Sequence, residues 1–206
     1  MLSEKTWGAV NTFNPNIDSY IITYIRDHKA DYVKLFSEAG VDSVLSNSAV
    51  ATMDNASVNS DSVDFFTAKD FIEKNGTADA KSEGATMTLN YYLHKKNIPE
   101  YVLLAKQYAT TYFSNDANGL NNIAWGFFEH VSDKNDLADA AQWALRSTQL
   151  DNKYYNTDTY ANVLFKSGKL AEAKAAAEKA IELAKQEQED YTSTQELLDK
   201  INSASQ

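Results

Sequence analysis

The chain has 206 residues, 43% hydrophobic and 23% charged, with no cysteine, two prolines and seven glycines. Its formal net charge of −10 excludes the clustered lysines and arginines that a nucleic-acid or anionic-membrane binder needs to displace counterions. Lack of cysteine excludes disulfides, thiol catalysis and thiolate metal sites, and so few prolines and glycines argue against a turn-rich all-β fold.

In chain order, residues 3–14 (SEKTWGAVNTFN) predict a short helix. Ser3 would cap it, Glu4 would sit at its positive end, and Trp7 and Val10 share a face. Asn14-Pro15-Asn16 breaks it, because proline disfavours a helical state in the residue before it. A helix follows from about Asp18, with Ile21, Ile22 and Ile25 apolar. In HKADYVKLFSEAG, Tyr32, Val33, Leu35 and Phe36 cluster, and Gly40 is expected to close the element. Residues 42–56 predict another helix and 55–61 a polar loop. Ser62 to Lys74 is a helix with Phe65, Phe66 and Phe71, ended by Asn75-Gly76.

The polar stretch 77–84 (TADAKSEG) is expected to separate an N-terminal helical region, 1–76, from a repeat array, 77–206. ATMTLNYYLHKKN reads as a helix, and Ile98-Pro99 restarts the chain with proline in a first helical turn. Glu100 to Phe113 follows, with Tyr101, Leu104, Ala105, Tyr108 and Tyr112 on one stripe. Then come GLNNIAWGFFEHV and LADAAQWALRSTQL, separated by SDKND. The stretch from Tyr154 to Gln188 reads as two helices folded back on each other. Thr157, Tyr160, Ala161 and Leu164 stripe the first, and Leu170, Ala173, Ala177, Ala180, Ile181 and Ala184 the second. Gly168 sits where a helix stop favours a residue without Cβ. Ser193 and Glu196 match a capping box for a last helix bearing Leu197, Leu198 and Ile201.

The second half repeats itself. Leu170-Ala171-Glu172-Ala173 falls on Leu137-Ala138-Asp139-Ala140, and Ala177, Ala180 and Leu183 fall on Ala144, Ser147 and Leu150. A more divergent copy starts near Ala85, with Tyr101 roughly where Leu137 and Leu170 sit. An alanine stripe buries too little area to offset the ordering of a helix pair, so each pair needs neighbours.

With Ala161, Gly168 and the Ala173, Ala177, Ala180 series, the hairpin resembles the tetratricopeptide repeat. It departs from that pattern at Thr157, Ala177 and Lys185. The fold class expected is all-α: helical hairpin repeats forming a tetratricopeptide-like α-solenoid, after an N-terminal helical lead-in. More widely, SEKTWGAVNTF with IDSYIITYIRDHKADYVKLFSEAGVDS, then GLNNIAWGFFEHVSDKNDLADAAQWALRS and the stretch 154–201, resemble a helical region found C-terminal to a thioredoxin-like domain in bacterial envelope proteins. That resemblance implies a periplasmic or envelope setting and an accessory role. The family's Cys-x-x-Cys belongs to the preceding domain and has no counterpart here, so no catalytic residue carries over.

The chemistry-bearing residues point away from catalysis, cofactors and metals. His28, His94 and His130 have no helix-face spacing and suit surface or helix-end positions. Asp139 and Glu178, or Glu182 with Glu187 and Glu189, fall on expected solvent faces. Lys166-Ser167-Gly168-Lys169 lacks the glycine spacing and preceding strand of a phosphate loop. No run is long and apolar enough to span a membrane. Residues 1–20 lack a signal-peptide core, so export would require a leader already removed.

The aromatics carry the functional expectation. In such arrays the first helix of each pair lines the concave groove, which nominates Asn122, Trp125, Glu129, Tyr155, Asp158, Asn162 and Lys166. Tyrosine and tryptophan combine large contact area with a polar tip. Trp125 and Tyr155 suit packing between repeats still better. The function expected is a non-enzymatic scaffold holding a protein or peptide segment. The alternative is a structural spacer or homo-oligomerisation module without a specific ligand.

Overall fold

The computed structural model describes residues 4–59 and 61–204, and these form helices with no strand among them. They run as α1 (Glu4–Phe13), α2 (Tyr20–Asp27), α3 (Lys29–Phe36), α4 (Glu38–Asn59), α5 (Ser62–Asn75), α6 (Ala78–His94), α7 (Ile98–Thr111), α8 (Ala117–His130), α9 (Lys134–Leu150), α10 (Tyr154–Lys166), α11 (Leu170–Glu187) and α12 (Thr192–Ala204). The chain divides into two compact units, Met1–Lys95 and Lys96–Gln206.

The first unit is built around α4, which packs against α1, α2, α3, α5 and α6. Val41, Val44, Leu45, Ala49 and Met53 of α4 are buried with Ile22, Ile25, Tyr32, Phe65 and Ile72. Three small polar residues of α4, Ser46, Ser48 and Thr52, are buried as well. Two of them are put to use. The Thr52 hydroxyl donates to the Ser48 carbonyl at 2.7 Å and accepts from the Ile17 N–H at 2.9 Å, pinning the connection between α1 and α2. Ser46 Oγ accepts from the Thr77 N–H at 3.0 Å. Trp7 of α1 stacks on Phe36 of α3 with centroids 4.2 Å apart.

Several boundaries differ from expectation. The break between α3 and α4 is Ser37, at φ 64° and ψ 160°. Gly40, expected to close the element, lies inside α4. Ser37 bears the turn because its hydroxyl accepts from the Gly40 N–H at 3.2 Å. The expected loop 55–61 is helical through Asn59. The polar stretch 77–84 is helix too: Thr77 caps α6 by accepting from the Ala80 N–H. Ala80, Gly84 and Ala85 are buried, and α6 packs on α4 and α5. Ser193 is exposed within α12, and Asp190 Oδ1 accepts from the Thr192 N–H at 2.9 Å, in place of the expected capping box. The expected Ser3 cap, and the Glu4 side chain, lie outside the described residues.

In the second unit α10 packs against α8, α9 and α11, and α12 packs against α10 and α11. Gly168 has φ 83° as its position requires, and the Lys169 N–H reaches back to the Leu164 carbonyl at 3.0 Å. The alanine stripe is inside: Ala173, Ala177, Ala180 and Ala184 are fully buried. Pro99 lies in the first turn of α7. Close approach of α7 to α8 depends on Gly126, where a Cβ would meet the Tyr101 hydroxyl oxygen at 2.1 Å.

Candidate functional site

The seven nominated groove residues lie on two helices that pack against each other, α8 and α10. Asp116 and Asp133 cap the starts of α8 and α9. The start of α10 has no side-chain cap of its own. Glu187, from the end of α11, accepts from the Tyr154 N–H at 3.3 Å.

On α8, Asn122 and Glu129 are exposed and Trp125 is half-buried. The Trp125 ring lies 4.9 Å from Phe128, tilted by 46°. Glu129 Oε2 is 3.6 Å from His130 Nε2. Behind this face Tyr101 is buried, and its hydroxyl donates to the Ile123 carbonyl at 3.3 Å. Burial pushes that phenol well above its ordinary range, and the Glu129 charge adds to the effect.

On α10, Tyr155 is 42% exposed. Its hydroxyl reaches Asn118 Oδ1 at 3.1 Å and Asp151 Oδ2 at 3.3 Å, and one proton serves either acceptor. Partial burial raises this phenol, and the Asp151 charge reinforces it. Through Asn118 the ring ties α10 to the first turn of α8.

Asp158 faces α12. Thr194 of α12 is fully buried and donates to Asp158 Oδ1 at 2.6 Å. That leaves the Thr194 oxygen to accept from the Tyr154 hydroxyl at 2.9 Å. Asn162 Nδ2 reaches Asp158 Oδ2 at 3.1 Å. Burial raises the Asp158 carboxyl above the usual range, while Thr194 and Asn162 pull it partly back.

Lys166 is engaged as well. Its ammonium donates to the Phe128 carbonyl and lies 5.6 Å from the centroid of the Phe128 ring. That carbonyl is among the last of α8, where no intrahelical N–H remains to meet it. Lys166 therefore caps α8 from α10.

The nominated set thus separates by role. Asn162 joins Asp158 within α10, and Asp158 joins α12. Lys166 and Trp125 meet at Phe128. Tyr155, Asn122 and Glu129 are exposed. Sequence reasoning missed Thr194, Tyr154, Asn118 and Phe128. Thr194 and Tyr154 sit beside the apolar stripes of their helices, but nothing local pairs residues 40 positions apart.

Chemically this is a surface of tyrosine, tryptophan and amide groups laid over a hydrogen-bonded helix interface. No group of three or more acids and histidines positioned to hold a metal ion occurs among the described residues. The three histidines are exposed at helix ends. No helix of the described residues is long and apolar enough to cross a membrane. Comparison with family models, with curated proteins and with solved structures finds no match to this chain.

Proposed function

We propose that the chain is a non-enzymatic interaction scaffold. In this reading the helix pairs of the second unit form a short tetratricopeptide-like array whose α8–α10 face holds a protein or peptide segment. The observation that carries it is the packing order. α10 leans on both helices before it and on α11, and α12 covers α10 and α11, the nearest-neighbour logic of a stacked array. The face offers Tyr155, the open side of Trp125, Asn122 and Glu129 to solvent, a mix of aromatic anchor and adaptable polar contact. The setting is an accessory region beside a thioredoxin-like domain in a bacterial envelope, as the sequence resemblance implies.

A photo-crosslinking amino acid at Asn122 or Glu129 tests this reading. Either position should capture one defined partner, and Asn122→Ala, at an exposed position, should weaken capture by the probe at Glu129 without lowering the melting temperature. Capture no stronger than at Glu178, an exposed position of α11, would sink it.

One observation favours a structural spacer instead. Asp158, Asn162 and Lys166 all spend their polar groups within the protein. Under that reading Trp125→Ala lowers stability and leaves no binding to lose.

A further inference from the structure

We propose that the trough between α4 and α6 docks one amphipathic helix of a partner protein. The docked helix lies antiparallel to both, acidic in its first turn and basic in its last. The site belongs to the first unit and is independent of the α8–α10 face.

Two adjoining hollows of ≈ 360 and ≈ 290 Å³ form the trough, and they share Asp54 and Met87 as walls. The walls rise together, from Asn47 and Glu83 at one end to Val58 and Lys95 at the other, so α4 and α6 run parallel. The span is about three helical turns, roughly 17 Å at the rise of an α-helix. α5 packs on both helices as the antiparallel member between them, and the trough is walled by α4 and α6 without it. Ala51, Met87 and Tyr91 are half-buried along the floor. Val58 stands 79% exposed at the rim. A small residue flanked by larger apolar ones accepts side chains spaced three and four apart on a helix.

Charge sets the direction. Glu83 stands at one end and Lys95 at the other, with Asp54 midway where the two hollows join. An antiparallel helix brings its N-terminus to Lys95 and its C-terminus to Glu83. Acidic residues in the first turn and basic residues in the last are also what the helix's own dipole favours. One sequence therefore satisfies both the helix and the trough. The chain already contains such a helix: α5 carries Asp64 in its first turn and Lys74 in its last. Asn14 closes the acidic end of the trough. Its Oδ1 is buried without a hydrogen-bond partner, an acceptor suited to a basic side chain.

The test titrates the full chain into a fluorescein-labelled, stapled peptide of about 14 residues, stapled because free helices of that length are marginal in water. It carries alanine and leucine on one face, glutamate in the first turn and lysine in the last, and the control has those charges exchanged. Fluorescence anisotropy should show the acid-first peptide binding at least about tenfold tighter than the control. Glu83→Lys with Lys95→Glu, both exposed, should invert that preference, and Ala51→Trp should abolish binding. Equal affinity for the two peptides, no binding of either, or binding that survives Ala51→Trp would overturn the proposal. A dimer of the chain alone, dissociated by Ala51→Trp in sedimentation velocity, would overturn it in favour of a second copy.

Discussion

Asp158 shows what a single buried charge costs and what holds it. Burial raises its carboxyl above the unfolded value, so folding favours the protonated form. Its favourable contribution is complete below the unfolded value, near pH 4, and is lost as pH rises through the folded value. Asp158→Asn removes the titration. The stability difference between the variant and the wild type should therefore shift in the variant's favour from about pH 4 towards pH 7. Urea melts across that range would show it, and a difference independent of pH would refute it. Gly126 is the second residue-scale case. A methyl there would strike the Tyr101 hydroxyl oxygen, and Tyr101 is only 2% exposed. Replacing glycine by alanine in a helix ordinarily gains about 1 kcal/mol. Here overpacking should reverse the sign, at about 1–3 kcal/mol of destabilisation. Adding Tyr101→Phe removes the struck oxygen, so the double variant should be more stable than Gly126→Ala alone, a coupling read by a double-mutant cycle.

At the scale of elements, the α10–α11 hairpin and α12 depend on different chemistry. Gly168 has open space around it, so substitution there costs only its left-handed backbone, φ 83°. Gly168→Ala should lose about 1–2 kcal/mol, and Gly168→Asn distinctly less, by chemical denaturation. α12 hangs on Thr194. Thr194→Val leaves the Asp158 carboxylate without its 2.6 Å donor and the Tyr154 hydroxyl without its acceptor. That should cost about 1–3 kcal/mol, and hydrogen exchange should quicken in α12 well before the rest of the unit. The hairpin was legible in the sequence because its apolar stripes keep the helical period and a glycine marks the turn. α12 was legible through Leu197 and Ile201, but its attachment was not, since a buried threonine reads locally as a polar surface residue. The same blindness hid the start of α6. Its buried residues there, Ala80 and Gly84, give no hydrophobic signal, and Asp79, Lys81 and Glu83 made the stretch resemble a linker. α4 was shortened at both ends because Gly40 reads locally as a stop and Asn55, Ser57 and Asn59 as a loop, whereas Gly40 lies inside the helix and Ala56 is buried. Within the nominated groove, the two helices were legible from periodicity. That Asp158 and Lys166 were already committed was not, because their partners lie on α12 and α8.

For the whole molecule, where the chain divides decides which pieces can stand alone. The unit Lys96–Gln206 has its own large buried side chains, among them Tyr101, Tyr108, Leu120, Ile123 and Phe127. α6 buries Ala80, Ala85 and Leu89, and it packs on α4 and α5. Residues 96–206 expressed alone should therefore be helical and unfold cooperatively in urea. A longer fragment starting at residue 77, where composition suggested a boundary, adds α6 without α4 and α5. Its apolar stripe would then face water, which favours association or fraying. The longer fragment should bind more of a hydrophobic dye than the shorter one yet show nearly the same m-value, since m follows the area exposed on unfolding. If instead the fragment from 96 is unfolded while that from 77 is folded with a larger m, α6 is part of the second unit's core and the division after Lys95 fails.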